Sequence, residues 1–212
     1  MPLYKTIIPN NNTSIFIWKI EESFNALLKD ITLTEYSLNR LQSMKSELHQ
    51  RGFLSVRHLL KKAGYTDNDL FYNGNGKPHL KDGKHISISH SYTFSTIIIS
   101  DLEVGIDIEK NREKIKIIQN KFVNFERGFI HKDDDYIEQL TVIWGAKESL
   151  YKIYPYGGLT FKNDIDICSF QIADKKTTGY IKIKNWDKKY NIHFQQLENF
   201  TLVYALENLN NG

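Results

Sequence analysis

Three carboxylates and a lysine form the sharpest chemical pattern in this chain of 212 residues. Val104-Gly105-Ile106-Asp107-Ile108-Glu109 alternates, so on a strand Ile106 and Ile108 face a core while Asp107 and Glu109 share the opposite side. Gly105 lies on the acidic side and, having no side chain, leaves room for a ligand or another backbone. Trp144, Glu148 and Lys152 recur at intervals of four, stacking on one helical face beside an apolar stripe of Leu140, Ile143, Ala146, Leu150 and Ile153. Asp107, Glu109 and Glu148 offer hard oxygen ligands of the kind magnesium takes when it keeps several waters and awaits a phosphate. Lys152 would neutralise charge on that phosphate. Plainer readings stand beside these: a solvated strand face for Asp107 and Glu109, and an exposed ion pair worth ~0.3 kcal/mol for Glu148 and Lys152.

A third pattern is Ile86-Ser87-Ile88-Ser89-His90-Ser91 at a strand end. Hydroxyls, exposed amides and an imidazole suit a phosphate ester, and a capped surface histidine is the alternative. Ser89 and His90 are no catalytic dyad, because neighbours on a strand point to opposite faces and no Gly-x-Ser-x-Gly elbow is present.

The elements that must carry these residues follow from periodicity. Residues 14–20 alternate as a strand, residues 21–30 change to a helical pattern, and Thr32-Leu33-Thr34-Glu35 reads as a capping box opening the next helix. Leu38, Leu41, Met44 and Leu48, then Leu54, Leu59, Leu60 and Ala63, predict two helices or one bent one. Asn73-Gly74-Asn75-Gly76-Lys77-Pro78 is a strong turn signal with strands expected on either side. Residues 85–90, 94–100 and 104–109 predict a half-buried antiparallel sheet, residues 114–153 return to helix period, and four β-type segments close the chain. The order strand, helices, strands thus occurs twice, predicting two α+β halves, 1–102 and 103–212, with a ligand cleft between them.

Composition excludes several classes. Lys plus Arg total 28 against 25 Asp plus Glu, and the net charge of +3 is too small to announce a nucleic-acid binder. One cysteine, Cys168, rules out an internal disulfide framework or multi-cysteine zinc site. No apolar run approaches the ~20 residues that span a bilayer, and residues 1–19 lack the features of a secretory signal. The expectation is a cytoplasmic monomer with no nucleic-acid or membrane partner.

Taken in order, Gly76-Lys77-Pro78, Ser87 to Ser91, Gly105-Ile106-Asp107-Ile108-Glu109 and Trp144-x-x-Lys147-Glu148-x-x-x-Lys152 resemble the 4′-phosphopantetheinyl transferases of the larger, two-domain, surfactin-synthetase-activating type. Phe53 to Arg57 and Gly157-Gly158-Leu159 extend the resemblance over roughly residues 30–170. It implies two similar α+β halves related by a pseudo-twofold axis, with coenzyme A and Mg2+ bound between them. It also implies transfer of the phosphopantetheine arm to a serine of an apo acyl or peptidyl carrier protein, releasing adenosine 3′,5′-bisphosphate. Asp107, Glu109 and Glu148 would hold the metal, and Glu148 and Lys152 would serve the chemistry. Lys77 and Pro78 would lie near the adenine end of coenzyme A, with Ser89 and His90 on its 3′-phosphate and Arg57 as an additional phosphate contact. Glu126, in Phe122-Val123-Asn124-Phe125-Glu126, is the family's candidate for general base. Its plainer reading is an exposed helix residue balanced by Arg127. Lys110, Arg112, Lys114 and Lys116 form a candidate docking patch for an acidic carrier.

Overall fold

The computed structural model describes residues 3–133 and 135–207. The chain divides into two compact units, Met1–Leu102 and Glu103–Gly212, each mixing helices and strands.

The first unit opens with a hairpin, β1 (Leu3–Asn10) and β2 (Thr13–Lys19). β1 is an edge strand with mostly exposed side chains, so it carries little of the apolar alternation by which strands are recognised. Helices α1 (Phe24–Lys29), α2 (Glu35–Ser43) and α3 (Glu47–Lys62) follow, then a short hairpin of β3 (Leu70–Tyr72) and β4 (Pro78–Leu80) around the expected turn. β5 (His85–Ser91) and β6 (Phe94–Ser100) complete a sheet of order β1-β2-β6-β5, antiparallel throughout. α3 crosses this sheet against β2 and β6, burying Leu54, Leu59 and Leu60 against Trp18, Ile97 and Ile99. β6 is buried at every position, not half-buried as its alternation with serine suggests.

The cap of α2 sits two residues later than the capping-box reading places it. Thr34, not Thr32, accepts the Ser37 amide at 3.2 Å, because the Thr34 amide and hydroxyl are both drawn to Asp67 Oδ2 at 2.8 Å. A tertiary partner decides between two threonines two residues apart that local sequence treats alike. The apolar stripe there is also thinner than its spacing implies: Leu41 is buried, whereas Leu38 and Leu48 are exposed.

The second unit begins at β7 (Val104–Lys110), which joins a separate sheet and does not continue the sheet of β5 and β6. α4 (Ile115–Ile118), short 3-10 turns and then α5 (Tyr136–Ile153) replace the long helical run expected over 114–153. β8 (Ile165–Ile167), β9 (Lys176–Ile183), β10 (Trp186–Leu197) and β11 (Phe200–Glu207) finish an antiparallel sheet of order β7-β11-β10-β9-β8. α5 lies on β7 and β11 and buries Leu140, Ile143, Ala146, Leu150 and Ile153, the stripe read from sequence. No helix among the described residues is long and apolar enough to cross a membrane.

Candidate active site

Two glycines set how closely α5 approaches the sheet. A Cβ at Gly105 would run into the carbonyl oxygen of Ser149, so the missing side chain admits the helix backbone onto β7. A Cβ at Gly145 would lie 2.7 Å from Val203 Cγ2 and 3.6 Å from Asp107 Oδ2. The helix-destabilising Gly145 is therefore needed where α5 meets Val203 of β11, with the Asp107 carboxylate at ordinary contact distance beside it. Ser149 locks the contact by donating to the carbonyls of Gly145 at 2.7 Å and Val203 at 3.3 Å.

This close seam buries Asp107 to 4% exposure on the α5 side of β7, while Ile106 and Ile108 are fully buried. The buried carboxylate is met by Lys152, whose Nζ donates to Asp107 Oδ1 and to the Ile106 carbonyl, each at 2.8 Å. Lys152 thus pairs with β7, not with its helical neighbour Glu148. Its side chain is still 26% exposed, so the ammonium reaches solvent while anchored. The Glu148 carboxyl is pushed up to about 7, first by burial and then by the negative charge of Asp107, with Lys152 opposing and Glu109 adding to the rise. Glu109 lines a pocket of about 180 Å³ together with Thr141 and Trp144, walled by Ile115 and Ile118 and rimmed by Lys110, Arg112 and Lys114.

Glu148 therefore feels the charge of both Asp107 and Glu109, and the three supply carboxylate oxygens, the donor type a magnesium ion accepts. Among the described residues no three His, Cys, Asp or Glu side chains are gathered into a ready cage for a metal ion. Magnesium fits such a set, since it commonly takes one or two carboxylates and completes its shell with waters and substrate phosphate.

Glu126 occupies a different environment from either sequence reading. It lies in a 3-10 turn, fully buried, and its partner is Lys147 at 2.7 Å, while Arg127 donates to Asn120 instead. Glu126 Oε1 also accepts the Ile167 amide at 3.0 Å and Oε2 the Asn124 amide at 3.1 Å. A base must reach the proton it takes, and this carboxylate is enclosed with both oxygens engaged. Lys147 is equally buried and gives its remaining donors to the carbonyls of Phe122 and Phe161, both at 2.8 Å. Burial pushes its ammonium pKa down and Glu126 pulls it back up. The Phe122 carbonyl that Lys147 holds lies in the non-α-helical stretch between α4 and α5. The sequence carried a signal for Lys147: it falls among Ile143, Ala146 and Leu150 on the buried face, where a lysine needs a partner.

The remaining candidates belong to the first unit. Arg57, expected on a phosphate, is 4% exposed and its guanidinium is spent internally. Nε donates to Asp67 at 2.9 Å, Nη2 to Ser37 at 3.1 Å and Nη1 to the Phe53 carbonyl at 3.4 Å, over the Phe53 ring. Burial alone would raise the Asp67 carboxyl, but the Thr34 amide, Ser37 and Arg57 together hold it below its ordinary value. Lys77 closes the β3–β4 turn with its amide on Asn73, and Pro78 opens β4, which packs against β5. Ser89 is half-buried and His90 exposed on β5, with the His90 ring set over α3 where Gly52 leaves space.

Residues 103–205 match the family model of the 4′-phosphopantetheinyl transferase superfamily. The match falls within the second unit, and members of that superfamily move phosphopantetheine from coenzyme A to carrier proteins. No curated protein matches the chain.

Proposed function

We propose that this chain is a 4′-phosphopantetheinyl transferase of the larger, two-domain type, transferring the phosphopantetheine arm of coenzyme A to a serine of an apo acyl or peptidyl carrier protein and releasing adenosine 3′,5′-bisphosphate. The observation that carries this reading is the charged seam under α5, inside the stretch that matches the superfamily model: Asp107 buried, Glu148 half-buried beside it, and Lys152 bridging Asp107 and solvent. Asp107, Glu109 and Glu148 would hold magnesium, which supplies charge neutralisation on the pyrophosphate when bound. Lys152, fixed at two oxygens of β7, presents its ammonium to the same phosphates without having to be ordered at the moment of reaction. The pocket beside Glu109 gives the pantetheine arm an apolar wall in Ile115, Ile118 and Trp144. Its basic rim, continued by Lys116, suits an acidic carrier surface. Glu148, half-buried where Glu126 is fully enclosed, is better placed than Glu126 to meet the serine proton. Lys77, Pro78, Ser89 and His90 are proposed as contacts for the adenosine 3′-phosphate portion, and Arg57, bound to Asp67, is not.

Incubation of the chain with coenzyme A, Mg2+ and a panel of apo carriers should add the phosphopantetheine mass to one serine of at least one carrier, and chelation should stop it. Cleavage of coenzyme A without any carrier would instead mark a hydrolase using the same carboxylates on water. Absence of mass gain across acyl and peptidyl carriers would overturn the proposal.

A further inference from the structure

We infer that the buried Lys147–Glu126 pair is a positioning clamp: it fixes α5 and the 110–126 segment around the charged seam and takes no part in proton transfer. The inference rests on the proposed transferase reading for its activity readout and on geometry for the rest. Lys147 is the residue immediately before Glu148, and its Nζ ties three separate pieces of the second unit together. It binds Glu126 in the 3-10 turn, the Phe122 carbonyl at the end of the segment following α4, and the Phe161 carbonyl after α5. Glu126 extends the tie to β8 through the Ile167 amide. One helical turn earlier, Trp144 packs on both Phe122 and Phe161, at ring-centroid separations of 5.2 and 5.3 Å. The ring contacts of Trp144 and the hydrogen bonds of Lys147 thus hold the same two residues, Phe122 and Phe161, by side chain and by carbonyl. Trp144 also lines the pocket beside Glu109, and α4 supplies its Ile115 and Ile118 wall. With Lys147 and Glu126 fully buried, neither reaches a substrate, and their influence must travel through α5 and this wall.

Removing one partner leaves the other as an uncompensated buried charge, whereas removing both restores an electrically neutral interior. Glu126→Gln should lower transfer at least 10-fold and accelerate amide hydrogen exchange at least 10-fold across residues 110–126. In the double variant Glu126→Gln with Lys147→Met, exchange should return toward the wild-type pattern and transfer should recover at least 10-fold over the single variant. Glu126→Asp, which keeps the charge and shortens the reach, should fall between them and keeps the test available if Glu126→Gln does not fold. The pH dependence of kcat should keep its shape in Glu126→Asp. A double variant with wild-type exchange that transfers no better than Glu126→Gln would overturn the inference, since Glu126 would then be needed for the reaction itself. Wild-type exchange over 110–126 in Glu126→Gln would overturn it as well. If the wild-type chain modifies no carrier, the exchange measurement still decides the clamp while the transferase reading fails separately.

Discussion

In each unit a strand that precedes the long helix pairs antiparallel with the closing strand, β2 with β6 and β7 with β11, and that helix lies across both. Each helix carries a glycine followed by a serine that bonds back to the glycine carbonyl, Gly52 with Ser55 and Gly145 with Ser149. Each also sends a buried cation to a carboxylate in a 3-10 turn, Arg57 to Asp67 and Lys147 to Glu126. The contrast is in what the strand presents to the helix. β2 offers Phe16 and Trp18 to the α3 core, whereas β7 offers Gly105, Asp107 and Glu109 to α5. Apolar residues beneath a helix contribute roughly 1.5–3 kcal/mol each on burial. Carboxylates in the same place must be neutralised: Lys152 binds Asp107 and opposes the rise at Glu148, whose carboxyl still stays up at about 7. The second unit therefore gives up stability where the first gains it, and the difference marks the site.

The comparison can be broken most severely at Asp107. Asp107→Asn keeps the shape of the seam and removes the charge facing Lys152, and the rate of carrier modification should fall about 100- to 1,000-fold, followed by intact mass. Comparable rates in the variant would detach the seam from catalysis. Next is Gly105→Ala, where the added methyl meets helix backbone that no side-chain rotation can move. It should cost about 3 kcal/mol in urea denaturation, near the upper end for an overpacked core.

Glu148→Gln should act in the opposite sense on stability. The folded carboxyl holds its proton up to about 7 against an ordinary 4.5, so between those values the folded state binds more protons than the unfolded one. Stability then falls as pH rises through this window, and the penalty is complete above it. In chelator at pH 8, Glu148→Gln should be more stable than wild type by about 2 kcal/mol while transferring poorly, and the two should converge below pH 4.5. The smallest effect belongs to the first unit. A Cβ at Gly52 would come within 3.2 Å of the His90 ring, a side chain able to turn aside. Gly52→Ala should therefore change stability by less than ~1 kcal/mol, with the helix-propensity gain offsetting the contact. A loss as large as that of Gly105→Ala would erase the distinction between the two seams.

Much of the second unit is legible because its signals are periodic: the apolar stripe of α5 and the alternation of β7 each point to a core-facing side. In the first unit the turn at Asn73 to Pro78 marks its own hairpin. Features decided by distant partners are not legible. Thr32 and Thr34 are equivalent locally until Asp67 selects one, and the non-α-helical stretch after α4 is where Lys147, 25 residues on, holds the Phe122 carbonyl. Arg57 and Glu126 carry charge, which argues for exposure, yet each is buried with a partner that spacing does not reveal. Gly105 was open to two readings, a ligand or another backbone, and the Ser149 carbonyl is the occupant.

The most direct test of the account is Mn2+ binding followed by electron paramagnetic resonance in the presence of coenzyme A and without any carrier, so that no turnover occurs. Manganese stands in for magnesium because both take hard oxygen donors. Wild type should bind one ion, Glu148→Gln should weaken that binding by at least 10-fold, and Asp67→Asn, which alters the buried pair of the first unit, should leave it intact provided the variant is folded. Equal affinity in wild type and Glu148→Gln would contradict the claim that the seam beneath α5 is the metal and phosphate site.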